Sequence, residues 1–99
     1  MNDLTSNENY SSEEEIYSDL FEQLILDLGQ TALYFLGSIP DPETGAFTDN
    51  LEGAKHIVDQ LEMLKYKTKG NLSTDESDLL ETTLLNLRDI VGDRFQNLA

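Results

Sequence analysis

Residues 65–76 read KYKTKGNLSTDE, a helix stop followed at once by a helix start. Lys65, Lys67 and Lys69 suit the negative end of a helix dipole, and Gly70-Asn71 supplies the left-handed residue that a C-terminal cap needs. Ser73 and Glu76 have the spacing of a capping box, with Asp75 and Asp78 in the turn that the dipole makes favourable to acids. Two helices joined this tightly must run antiparallel. Upstream, Leu51, Ala54, Ile57, Val58, Leu61 and Leu64 form one apolar stripe behind an N-cap at Asp49 or Asn50, with Glu52 three residues after Asp49. Downstream, Leu79, Leu80, Leu84, Leu87, Ile90, Val91 and Phe95 share a face, and Gly92 is expected to end the helix or weaken its last turn. The hairpin is therefore placed at residues 50–69 and 74–91 or slightly beyond.

Before the hairpin lies a longer helix, expected over residues 13–36. Ser11 with Glu14, or Ser12 with Glu15, opens it as a capping box, and thirteen of the twenty-one residues from Ile16 to Leu36 are apolar. At 100° per residue, Ile16, Tyr17, Leu20, Phe21, Leu24, Ile25, Leu28, Ala32, Phe35 and Leu36 cover one half of its surface, the expected core face. Leu26 and Leu33 fall on the polar back, one heptad apart. The connection LGSIPDPETGAF, residues 36–47, stops this helix near Gly37 and turns at Asp41-Pro42-Glu43-Thr44, with Gly45 free to take positive φ. Ile39 and Phe47 are large for such a loop. They are expected to fold back and seal the end of the core, or else to carry partner recognition.

No segment alternates with the period of a strand. The fold class is all-α: a three-helix arrangement of a long N-terminal helix plus an antiparallel helical hairpin, joined by a rigid Pro/Gly loop. Residues 12–99 are expected to form a single helical domain behind a disordered acidic tail, residues 1–11, which has only Met1, Leu4 and Tyr10 to bury.

Twenty Asp and Glu against six Lys and Arg give a net charge of −14, which disfavours nucleic acid and anionic membranes as partners. Residues 1–54 hold twelve of the acids and no base, while residues 55–99 hold the other eight and all six bases. Such an asymmetry reads either as a solvated face or as a docking face for a basic partner. With no cysteine, disulfides, thiolate metal sites and thiol nucleophiles are excluded. The first fifteen residues lack a secretory pattern and no apolar run approaches about 20 residues, so the expected location is cytoplasmic. The sequons at Asn9 and Asn71 are then chance matches.

Chemistry-bearing constellations are few. His56, the single histidine, shares a helix face with Glu52 and Asp59, three groups that could touch one metal ion. Three neighbours on one exposed helix seldom close a site, and acidic residues solvated beside a histidine read the same way. Asp27, at the edge of the long helix's apolar half, is the best placed carboxylate for a raised pKa, although an edge position more often marks a snorkelling or capping carboxylate. The segment DPETG lacks the lysine of a phosphate loop. No catalytic residue, metal, nucleotide or flavin is expected. The favoured reading is a small acidic interaction or assembly protein, most simply a homodimer through Leu26 and Leu33. Its candidate interaction surface comprises Leu26, Leu33, Ile39, Phe47, Met63, Tyr66 and Leu85. The alternative is a small enzyme or metal-binding module centred on Glu52, His56 and Asp59.

Four stretches carry a family resemblance: LGSIPDPETG at 36–45, AKHIVDQLEML at 54–64, KTKGNLS at 67–73 and LLETTLLNLRD at 79–89. Over roughly residues 20–95 the chain resembles the bacterial family called domain of unknown function 1844. The resemblance implies a small soluble helical protein with no established activity, and so brings no catalytic residues with it. The chain departs from the family pattern at Tyr34-Phe35 and near Asn86 and Asp89-Ile90.

Overall fold

The computed structural model describes residues 12–98. The N-terminal tail, the first sequon and the Ser11 form of the capping box lie outside the described residues. The protein is all-α, with α1 at Glu13–Phe35, α2 at Leu51–Lys67 and α3 at Thr74–Leu98.

Each helix begins where a side chain can satisfy its orphan amides. Glu15 N–H donates to Ser12 Oγ at 3.3 Å while Ser12 N–H donates to the Glu15 carboxylate at 3.2 Å, which completes the box that opens α1. Ser73 and Glu76 do the same for α3, at 3.2 and 2.7 Å. Asn50 caps α2 by accepting from Gly53 N–H at 2.9 Å. Asp49, the other candidate cap, pairs instead with Arg94 of α3 at 3.1 Å.

The C-terminal stops are equally explicit. Gly37, at φ 71°, donates to Tyr34 O, and Ser38 donates to Leu33 O, the paired bonds of a Schellman closure. Gly70, at φ 81°, reverses the chain after α2. Gly92 does not stop α3, which continues to Leu98. An exposed glycine inside a helix costs about 1 kcal/mol in propensity, too little to end one anchored on both sides by tertiary contacts, with Val91 buried before it and Arg94 bonded to Asp49 and the Leu36 carbonyl after it.

Helices α1 and α3 run parallel, with α2 antiparallel to both. Ser18 meets Glu76 near one end, Gly29 faces Thr83 midway, and the Leu36 carbonyl accepts from Arg94 at the other. Across the α2–α3 seam Lys65 pairs with Glu81 at 2.9 Å and Arg88 with Glu62. The core is built from Ile25, Ala32 and Leu36 of the first helix and its C-cap, Ala54, Ile57, Val58 and Leu61 of the second, and Leu80, Leu84, Leu87 and Val91 of the third. Burying each of the larger side chains stabilises the fold by about 1.5–3 kcal/mol.

Two expectations about packing need correction. On α1 the buried line is Ile25, Gly29, Ala32 and Leu36, roughly a quarter-turn from the centre of the expected half. Ile16, Tyr17, Leu20 and Leu24, expected in the core, are 47%, 62%, 60% and 43% exposed, whereas Leu33, expected on the free back, packs against the core. The small residues explain the rotation. A Cβ at Gly29 would stand 3.1 Å from the Thr83 methyl, so α3 approaches α1 where side chains are smallest, not where they are most apolar. The second correction is Phe47, which stays 69% exposed, so that Ile39 alone of the two loop residues folds back.

The loop itself is closed by its own backbone. Gly45 N–H donates to Asp41 O at 2.7 Å and Asp41 N–H to Ala46 O at 2.9 Å, with Glu43 N–H on the Asp41 carboxylate. Asn50 N–H donates to Phe35 O at 2.7 Å and ties the start of α2 to the end of α1.

Candidate functional site

Because α1 is apolar well beyond the face that its two neighbours cover, it leaves two surfaces unpartnered. One is a groove of about 850 Å³ between α1 and α3. Ile25, Gly29 and Leu87 form its floor, Leu26 and Leu33 rise from α1, Ile90 rises from α3, and Ile39 closes one end. The edges are polar, with Gln23, Asp27 and Gln30 on one side and Thr83, Asn86 and Asp89 on the other. No Lys or Arg lines it. Asp27 is exposed and accepts from Gln23 Nε2 at 3.1 Å, the arrangement of a solvated edge carboxylate.

The second surface is the outward ridge of α1, formed by Ile16, Tyr17, Leu20 and Leu24. It lies on the other side of the helix from Leu26 and Leu33. Six acids and no base are carried by α1, and none of the ion pairs among the described residues reaches it. Those pairs instead occupy Lys55, Lys65, Arg88 and Arg94 with partners at Asp59, Glu81, Glu62 and Asp49. The negative charge of α1 therefore stands uncompensated by these pairs over both surfaces.

Of the seven candidate interaction residues, the structure gathers Leu26, Leu33 and Ile39 around one groove. Phe47, Met63, Tyr66 and Leu85 are exposed but do not line it. Ile90 and Gly29 were missed because Ile90 shares the apolar stripe of α3 and a glycine carries no apolar signal. Their placement follows only from how closely α1 and α3 approach.

Glu52, His56 and Asp59 are exposed on α2, and Asp59 is engaged by Lys55 at 3.7 Å. Among the described residues no three His, Asp or Glu side chains converge as a cation site requires. Among the described residues the buried acid is Glu76, at 5% exposure. Hydrogen bonds from the Ser18 side chain and then from the Ser73 backbone hold its carboxyl below the ordinary value of 4.5, against the opposing effect of burial. It fastens the start of α3 to α1 and does not line the α1–α3 groove.

No described helix is long and apolar enough to cross a membrane. Residues 19–89 match the family described as domain of unknown function (DUF1844), and the chain belongs to that family. No curated protein and no solved structure matches the chain.

Proposed function

We propose that this DUF1844 protein is an acidic cytoplasmic interaction protein, without catalysis of its own, that assembles with itself through α1. The observation that carries the reading is the exposed ridge of Ile16, Tyr17, Leu20 and Leu24. Together these side chains leave on the order of 400 Å² of largely apolar surface in water, a patch of the size that marks contacts on small proteins.

Because Leu33 is partly buried against the core, we place the seam away from the Leu26–Leu33 pair. A two-fold contact needs the same patch on both partners, and a concave groove does not fill itself, whereas a convex helix ridge packs against its own copy. Antiparallel pairing about Leu20 sets Ile16 of one protomer opposite Leu24 of the other. The patch is about half of the ~800 Å² per partner typical of a stable interface, so the dimer is weak and concentration-dependent.

Light scattering on the full chain, from micromolar to sub-millimolar concentration, tests this directly. The expected result is a mass rising toward twice 11.2 kDa, abolished in Tyr17→Glu/Leu20→Glu. A monomer throughout, or an unchanged oligomer in the folded double variant, would refute it.

A further inference from the structure

We infer that the α1–α3 groove receives an amphipathic helix from a partner protein, one whose apolar face is flanked by Lys or Arg. The inference does not depend on self-association, which uses the opposite side of α1. Its first support is shape. Leu26 and Leu33 are seven residues apart on one helix, a separation of about 10.5 Å along its axis, which matches the i and i+7 anchors of a ligand helix lying in the groove. Ile39 and Ile90 offer apolar contacts beside that line, over a floor kept low by Gly29.

Charge selects among occupants. Asp27 and Asp89 stand on the two edges, no base lines the groove, and α1 itself has no cation. A second copy would bring another net −14 into this field. The chain's own residues 1–11 carry Asp3 and Glu8 and no Lys or Arg, so they are disfavoured on the same ground. A helix with cations beside its leucines gains from the acidic edges, and approaches faster for being steered by them.

The probe is a fluorescein-labelled amphipathic peptide of about 18 residues, with leucine at i, i+3, i+4 and i+7 spacing and lysine elsewhere, titrated with the full chain by fluorescence anisotropy. Three comparisons separate groove binding from diffuse attraction of a cation to an acidic protein. A peptide of the same composition in scrambled order keeps the charge and loses the apolar face. A counterpart with glutamate in place of lysine keeps the face and reverses the charge. Leu26→Ser is set against Leu85→Ser, because both leucines are 53% exposed and only Leu26 lines the groove. Circular dichroism checks that both variants are folded.

Saturable binding is expected, weakened at least tenfold by scrambling, by the glutamate peptide and by Leu26→Ser, with Leu85→Ser within about twofold of native. Equal effects of the two leucine variants would overturn the inference, as would a scrambled or glutamate peptide that binds as tightly. It is also overturned if the native chain does not bind the peptide. Binding recovered by deleting residues 1–11 would identify that segment as the occupant, and a native dimer dissociated by Leu26→Ser would identify a second copy.

Discussion

Gly37 packs tightly against the backbone of the connection between α1 and α2, and alanine there should be far more damaging than at two glycines of the same backbone shape. Gly37, Gly45 and Gly70 have φ of 71°, 72° and 81°. An L-residue held in that region costs about 1–2 kcal/mol, offset by about 0.4–1 kcal/mol because alanine also restricts the unfolded chain. Gly45→Ala and Gly70→Ala meet nothing within 4 Å, so each should lose about 1 kcal/mol or less. At Gly37 the new Cβ would stand 2.7 Å from the Thr48 carbonyl oxygen. That carbonyl cannot easily retreat: Asn50 N–H is bonded to Phe35 O at 2.7 Å, and Arg94 holds both Asp49 and the Leu36 carbonyl. Loosening one or two of these bonds adds about 1–3 kcal/mol, for a total near 3 kcal/mol. Urea unfolding followed by helical circular dichroism, at one fixed protein concentration, reads all three variants on one scale. If Gly37→Ala falls within about 0.5 kcal/mol of Gly45→Ala, residues 37 and 48 are not packed together and the account of the clasp is wrong.

Leu61→Ala, at a fully buried position on α2, should destabilise by about 2–5 kcal/mol in the same assay, and a loss below 1 kcal/mol would mean that the three helices do not share this core. Glu76→Gln should lower stability at neutral pH. Because the folded carboxyl titrates below its ordinary 4.5, the native advantage is complete above that pH and disappears as pH falls through the folded value. A deficit that stays constant from pH 7 to about pH 3 would refute the role given to the Ser18 and Ser73 bonds. Solubility should be lowest near the sequence pI of 4.1, where repulsion between chains vanishes, and turbidity absent there at high concentration would count against charge as the source of solubility.

How far the fold was legible depended on whether a signal was local. KYKTKGNLSTDE announced a stop and a start through caps that act within one turn, and the structure has both within a residue or two. The Asp41–Thr44 turn, the helix stop at Gly37 and positive φ at Gly45 were legible for the same reason. Gly92 left the end of α3 undecided, because glycine weakens a helix without necessarily ending it, and the helix runs on to Leu98. Asp49 and Asn50 could not be told apart as caps, since the pairing of Asp49 with Arg94 spans 45 residues and leaves no local trace.

The candidate site was legible only in outline, and α1 shows why. Periodicity reports how wide an apolar face is, and on α1 it is wider than two neighbours can cover. Which part is covered depends on close approach at Gly29 and Ala32, the positions that contribute least to an apolar count. Leu26 and Leu33 were therefore grouped correctly as neighbours on one face but given equal exposure, when Leu33 is partly taken into the core and Leu26 is left beside the groove.

The same excess of apolar surface lets the two proposed contacts coexist. Pairing through Ile16, Tyr17, Leu20 and Leu24 would leave the groove lined by Leu26, Leu33 and Ile39 open on each protomer, so self-association would not consume it. It would instead bring two chains of net −14 together and deepen the negative field at both grooves. Salt then acts oppositely on the two contacts, since screening relieves repulsion between acidic copies and weakens attraction to a basic helix. Raising ionic strength should therefore favour the dimer while releasing the lysine-rich peptide, and a parallel response of the two would mean that charge does not govern one of them.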